Sequence, residues 1–179
     1  MSLWAAIDSY LETELLAALG SAGDYNDLHV ADVLVDDIWN LDAVKRNDEF
    51  PLVLVRSNQA THTADDHGLF GVAGAVSLGT TYSYNLIAVV YVQATENESA
   101  KRLAKSYSQE LDERLLYFLA KRPGMGGLSA TNATTGRVER VRRVEFQKSE
   151  LEVWGRADED SGDYIGVAVV AFQIISEAI

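Results

Sequence analysis

Two histidines and two aspartates lie close together in a polar stretch, and these side chain types can bind a divalent metal. His62, Asp65, Asp66 and His67 fall within six residues of one another. The two histidines are separated by four residues, a spacing that matches no established metal-binding motif, and no regular pattern frames them. The spacing therefore favours a solvated polar loop, and we predict no metal ion and no other cofactor.

Residues suited to nucleophilic catalysis or phosphate binding are missing or badly placed. The chain has no cysteine and no Gly-x-Ser-x-Gly sequence, and two of its three histidines lie in the polar stretch just described. Gly68, Gly71, Gly74 and Gly79 are followed by neither Lys-Ser nor Lys-Thr, so they do not predict a phosphate-binding loop. We predict that the chain is not an enzyme.

Neighbouring carboxylates occur at residues 36–37, 65–66 and 158–160. Acid–base catalysis would need one such pair in a cleft that drives the two pKa values apart. Because the pairs are numerous and lie in polar segments, they are more typical of solvating charge.

Arginines form one cluster, at positions 137, 140, 142 and 143, which is interrupted by Glu139. If this segment is a strand, Arg140 and Arg142 share a face with Val138 and Val144. The cluster could form salt bridges to a neighbouring strand, contact nucleic-acid phosphates, or contact an acidic subunit surface. The net charge of −12 favours protein contact over free DNA binding.

Charge is unevenly distributed along the chain. Residues 1–50 contain 11 acidic and 2 basic residues, whereas residues 101–150 contain 11 basic and 6 acidic residues. This uneven charge distribution has two explanations. It could serve only to keep the protein soluble, or an acidic patch of one copy could bind a basic patch of another copy. In the second case we expect these residues at the contact with a subunit or partner: Arg137, Arg140, Arg142, Arg143, Lys101, Arg102, Lys105, Asp36 and Asp37.

The longest regular pattern covers residues 81–123 and predicts a strand, a tight turn and a long helix. Alternate residues from Tyr82 to Ala94 are apolar, and the middle of the other face is apolar as well, which is typical of a strand covered on both sides. Apolar residues then recur at helical spacing from Ala100 to Leu119, and Pro123 ends the helix.

Other segments complete the predicted fold. Residues 3–19 form a helix; residues 50–56, 138–154 and 164–175 form strands, and the last two strands form an antiparallel hairpin. Residues 28–41 are ambiguous: we interpret them as helical or irregular, with a short strand as the alternative.

Two segments rich in glycine are predicted to lie outside the packed core of the domain, as a projecting arm and a flexible loop. Residues 57–80 form a projecting hairpin or arm, in which residues 69–78 either pair with the strand at 81–95 or become ordered against a partner. Residues 124–136 form a flexible loop. The predicted fold is α/β (α+β): a single domain over residues 1–179, with a mixed, mostly antiparallel sheet of about four to five strands packed by two main helices.

Composition limits the location of the protein. The 179 residues include no run of 18 apolar ones, and Asp8, Glu12 and Glu14 interrupt the N-terminus. We therefore expect neither a membrane span nor a signal peptide. The absence of cysteine fits a reducing compartment, and we expect a cytosolic origin.

The order of these elements resembles the tail terminator, or tail-completion, proteins of long-tailed bacteriophages. The resemblance covers the first helix and most of the chain from Phe50 onward. It is carried by these segments: Phe-Pro-Leu-Val-Leu-Val at 50–55, Tyr-x-Tyr-x-Leu-x-Ala-x-Val-x-Val at 82–92, the helix that follows it, the arginine-rich strand at 138–146, and Gly-Val-Ala-Val-Val-x-Phe at 166–172.

This resemblance implies a structural virion protein that assembles into a ring, commonly a hexamer, at the head-proximal end of the tail. The ring would cap the tail tube and join it to the head-completion proteins, and DNA would pass through its lumen without sequence-specific binding. Assembly would take place in the host cytoplasm. The alternatives are another head–tail connector or neck subunit or, in a different class, a small α/β enzyme or ligand-binding module near the glycine-rich arm.

Overall fold

The computed structural model describes residues 2–20, 28–35, 50–64, 78–93, 97–131, 136–155 and 163–179. Helix α1 spans Leu3–Leu19 and helix α2 spans Asn97–Ala120. The strands are β1 (Asp32–Val35), β2 (Leu52–Ala64), β3 (Leu78–Gln93), β4 (Ser129–Thr131), β5 (Val138–Gly155) and β6 (Asp163–Ala178). The predicted first helix, long central strand, long helix and final two strands are thus confirmed.

The described strands form one mixed sheet in the order β1-β2-β3-β6-β5-β4. β1 is parallel to β2, and every other neighbouring pair is antiparallel. The predicted α+β class and mostly antiparallel sheet are confirmed, but the predicted four to five strands are too few. The two outermost strands, β1 and β4, have four and three residues, too short to leave a clear alternating pattern in the sequence.

Three predicted boundaries differ from the structure. β2 continues to Ala64, so residues 57–64 are a strand paired with β3 and not an irregular polar segment. Within 28–41, residues 32–35 form β1, not a helix. Within the predicted loop 124–136, a short 3-10 turn and β4 occupy residues 125–131. Residues 65–77, which hold most of the glycine-rich run, and 132–135 lie outside the described residues.

Hydrogen bonding to a neighbouring strand explains the extension of β2. Residues 56–61 are mostly polar, and four of them are exposed. An edge strand needs no apolar side chains when its backbone is paired on one side. This extension of β2 is therefore held to β3 by backbone hydrogen bonds, which the hydrophobic pattern of the sequence does not predict.

Both helices pack on the same face of the sheet. The even-numbered residues of β3 from Tyr82 to Val92 are buried there with the apolar stripes of α1 and α2. The hydroxyl of Tyr84 donates to Asp8 Oδ1 of α1 at 2.7 Å, which anchors that helix to the centre of the sheet.

The opposite face of the sheet has a smaller core at one end. Leu52, Leu54, Ile87, Val89, Ile165 and Val167 are buried there, so β3 is apolar on both faces, as predicted. Toward the other end this face becomes polar: Thr81, Ser83 and Gln173 are only half-buried.

Helix α2 approaches β6 very closely at Gly166. A Cβ atom placed on Gly166 would lie 2.4 Å from the carbonyl oxygen of Ala104 and 3.1 Å from Cβ of Ser108. Ala100, Ala104 and Ser108 are all fully buried, so small residues line the helix face at this crossing. The helix lies close to the sheet because neither surface has bulk there.

We predict that Gly166→Ala destabilises the fold by about 1–3 kcal/mol, because the added methyl group meets helix backbone that cannot move alone. The matched control is Gly155→Ala on β5. Its Cβ would meet the ring of Tyr164 at 3.3 Å, a side chain that can rotate away. Urea denaturation of both variants measures the difference, and equal free energies of unfolding would show that the helix does not depend on this close contact.

Candidate assembly surface

The arginine cluster lies on β5, but a β-bulge changes the faces on which its members lie. The pairing register shifts between Val141 and Arg143. As a result Arg140 and Arg143 lie on the sheet face opposite the helices, and Val144 lies on the helix face. The prediction that Arg140 and Arg142 share a face with Val144 is wrong, because regular alternation stops at the bulge.

Salt bridges within the chain occupy much of this cluster. Arg140 Nη2 lies 2.6 Å from Glu177 Oε1 on β6, and Arg143 Nε lies 2.7 Å from Glu145 Oε1. Salt bridging to a neighbouring strand, one of the readings of the sequence, is thus confirmed for Arg140. Because these pairs are exposed, each contributes only about 0–1 kcal/mol to stability.

The other basic residues chosen from the sequence do not join this cluster. Lys101, Arg102 and Lys105 are exposed on the first turns of α2. That part of α2 crosses β6 at Gly166, whereas Arg140 pairs with Glu177, eleven residues further along β6. The two basic groups are therefore separated by roughly 35 Å along the strand. Asp36 and Asp37 lie outside the described residues.

The outer side of β5 is open over most of its length. β4 pairs with residues 138–140, and the N–H groups of Val141 and Val144 donate to the carbonyls of Leu128 and Pro123, each at 2.8 Å. From residue 145 to residue 155, no described strand pairs with β5 on the side away from β6. We call residues 145–155 the β5 outer segment.

Large apolar side chains are exposed on the β5 outer segment. The exposed fractions of Phe146, Leu151 and Trp154 are 53%, 43% and 37%. Phe146 and Leu151 lie on the helix face of the sheet and Trp154 lies on the opposite face, so the three side chains flank the open edge on both sides. A single exposed apolar residue is ordinary, but several beside an open strand edge are typical of a protein contact. The sequence analysis did not single out Phe146 or Leu151. Their alternation with charged residues in a predicted strand was the available signal.

A second open edge lies on the other side of the sheet. β1 pairs with residues 52–55 of β2, and no described strand covers the same side of residues 56–64. We call residues 56–64 the β2 outer segment. Arg56, Asn58, Gln59 and Thr61 are exposed along it. Among the described strands, β2 and β5 are therefore each covered at one end and open at the other.

One groove of about 390 Å³ lies between the C-terminal parts of α1 and α2. Its charged walls are paired within the chain: Arg114 donates to the carbonyl of Leu28 at 2.6 Å and to Glu110. Arg122 Nη2 lies 3.2 Å from Glu14 Oε2 of α1, and its guanidinium lies 4.2 Å from the ring centre of Phe118. Of these contacts, the Arg122–Glu14 pair joins the segment just after α2 to α1.

The candidate metal site cannot be assembled from the described residues. His62 belongs to β2, but Asp65, Asp66 and His67 lie outside the described ranges. Among the residues that are described, no three histidine or carboxylate side chains converge as metal ligands.

A buried carboxyl group joins α2 to β5 near the β5 outer segment. Burial of Asp112 raises the pKa of its carboxyl above the ordinary value of 3.8; a hydrogen bond with Ser149 opposes this shift, and the negative charge of Glu113 adds to it. The folded state therefore binds this proton more tightly than the unfolded state. As the pH rises above 3.8, ionisation of Asp112 therefore lowers the free energy of unfolding.

We predict that Asp112→Asn raises the melting temperature near neutral pH, because asparagine keeps a hydrogen-bond acceptor for Ser149 without the buried charge. The gain should shrink as the pH falls and should vanish well below 3.8, where the aspartate of the wild type is protonated in both states. Thermal melts over this pH range, with Glu12→Gln at an exposed position of α1 as control, measure the effect. A gain that did not change with pH would contradict the electrostatic explanation.

Comparison with known proteins gives no relative from which a role could be transferred. No protein-family model matches the chain, and no curated protein matches it. Within the described ranges, neither helix combines the length and apolar character that crossing a membrane requires. Interpretation of the surface therefore rests on the geometry of the two open edges and the exposed side chains of β5.

Proposed function

We propose that this chain is a ring-forming virion assembly protein, a tail terminator that caps the tail tube and joins it to the head-completion proteins. The observation that carries the proposal is the β5 outer segment, a long open strand edge with Phe146, Leu151 and Trp154 exposed along it. A protein whose role is to assemble needs such a surface when it is alone.

Backbone groups make this edge suited to association. A strand edge presents unpaired N–H and C=O groups that can add a strand from another chain. Aromatic and large apolar residues are the side chains that most often anchor protein contacts. Both features occur together on the β5 outer segment, whereas Leu103 and Tyr117, which are also exposed, lie on helix α2 and not on a strand edge.

The proposal that the chain acts in the tail rests on its resemblance to tail terminator proteins. The α+β fold, with the helix-strand order of the sequence and two helices on one face of a mostly antiparallel sheet, is compatible with that resemblance. On this proposal the ring, commonly a hexamer, lies at the head-proximal end of the tail in the virion. Its partners are further copies of the chain, the tail tube protein and the head-completion proteins, and DNA passes through the lumen.

A second candidate function is that of a small ligand-binding module. The groove of about 390 Å³ between α1 and α2 favours it, because ligand pockets in proteins commonly have this size. The pairing of Arg114 and Arg122 with carboxylates and a carbonyl of the same chain makes this reading the weaker one.

We predict that the wild-type protein forms a ring in solution and that Leu151→Lys weakens it. Replacing an apolar contact residue removes about 1.5–3 kcal/mol of burial per contact, so the concentration needed for assembly should rise at least tenfold. Light scattering at low and high salt gives the molar mass, and negative-stain imaging shows the shape of any large species.

The matched control is Leu16→Lys on α1, because Leu16 is exposed to nearly the same extent, 41% against 43%. The control should assemble like the wild type. If Leu151→Lys and wild type form the same rings, the β5 outer segment is not the contact. A wild type that stays monomeric alone and with added tail tube protein contradicts the terminator proposal itself.

A further inference from the structure

We infer that the ring is built by strand addition: the β5 outer segment of one copy pairs antiparallel with the β2 outer segment of the next copy. One sheet then continues from subunit to subunit. This inference rests on the proposed ring and adds to it the identity of the second surface.

Strand directions allow this continuation without any rearrangement. β2, β3, β6 and β5 alternate in direction, so β2 and β6 run the same way. The next strand beside β5 in an alternating sheet must also run the way β6 does. β2 of a second copy in the same orientation meets this condition. Because two different surfaces meet, the contact is heterologous; its repetition forms a ring where the rotation between neighbours closes, and an open filament where it does not.

The positions of the open edges set the offset between subunits. Across the paired strands, Thr61 of the β2 outer segment lies level with Ile175 of β6, whereas Glu150 of the β5 outer segment, which is on the same sheet face, lies level with Val169. The two positions differ by six residues along β6, or roughly 20 Å. Each copy must therefore be displaced along the strand direction relative to its neighbour. Such a stagger, with tilted strands, is what closure of a sheet into a barrel requires.

Charge favours this pairing over the pairing of two β5 edges. The β5 outer segment carries three glutamates and one lysine, whereas the β2 outer segment carries one arginine and no acid. Lys148 lies 2.7 Å from Glu150, so each copy of the β5 outer segment has an excess of two carboxylates, and like charges oppose a contact between two such segments. Glu150 and Glu152 lie on the sheet face opposite the helices, the same face as Gln59 and Thr61.

The experiment introduces like charge at this contact and then reverses it. The double variant Gln59→Glu/Thr61→Glu sets new carboxylates near Glu150 and Glu152 of the next copy, and we expect at least a tenfold higher concentration for half-assembly by light scattering. Adding Glu150→Lys/Glu152→Lys in the same chain should restore assembly. The control Ser9→Glu/Thr13→Glu adds the same charge to exposed positions of α1 and should leave assembly unchanged.

Two outcomes separate this inference from the ring proposal. If the wild type forms rings and the β2 variant forms them equally well, the strand pairing is wrong while the ring stands. If the β2 variant stops at a stable dimer that Leu151→Lys disrupts, two β5 edges pair with each other, and the inference is again wrong.

A covalent trap covers the case in which no ring is seen. The chain has no cysteine, so Thr61→Cys and Glu150→Cys, made in separate chains and mixed under oxidation, can join only across the proposed contact or as homodimers. A mixed disulfide that exceeds both homodimers supports strand pairing even without a closed ring. A wild type without rings and a mixture without the mixed disulfide would overturn both proposals.

Discussion

The close contact between α2 and β6 determines how the rest of the sheet is covered. At Gly166 the helix backbone lies where a side chain would otherwise stand, and small residues line the helix at this crossing. From there α2 runs back along the sheet: Asp112 lies beside Ser149 of β5, and the carbonyl of Pro123, just after the helix, accepts the N–H of Val144. The helix thus covers β3 and β6 and reaches the part of β5 that lies next to β6. It does not cover the edge of β5 that faces away from β6.

The two outer edges of the sheet are only partly covered by neighbouring strands. β1 and β4 are short and lie at opposite ends of the sheet, so each long outer strand has one paired end and one open end. The open part of β5 carries features that discourage indiscriminate edge pairing, namely one β-bulge and several charged residues. It nevertheless exposes three large apolar side chains. This combination is expected of an edge that selects one partner strand and rejects others.

Sequence reasoning recovered the elements whose pattern is set by burial. The first helix, the central strand β3, the long helix and the hairpin of β5 with β6 follow from apolar periodicity, because each buries a stripe or a face. It gave β1 only as the alternative to a helix, and it missed β4 and the extension of β2 to Ala64, which leave little apolar periodicity in the sequence. The bulge after Val141 also reversed the expected face of Val144, since period two holds only in a regular strand.

The candidate site was harder to predict than the fold. Charge polarity along the sequence directed attention to Arg140 and its neighbours, but Arg140 is bonded to Glu177, a residue 37 positions away in sequence. The first turns of α2 proved to be at the far end of the sheet from that cluster. Whether a strand edge is open depends on which strands lie beside it. The local sequence of a strand does not contain this information. Phe146 and Leu151 become significant only once the edge is known to be open.

Amide hydrogen exchange is the most direct measurement of the central claim that the β5 outer segment is the assembly surface. The exchange rates of residues 145–155 and 56–64 would be compared between dilute and concentrated protein, with residues 82–92 of β3 as the internal reference. The account predicts that both outer segments become protected as the molar mass rises, while the reference strand does not change. Assembly without added protection in residues 145–155 would contradict it.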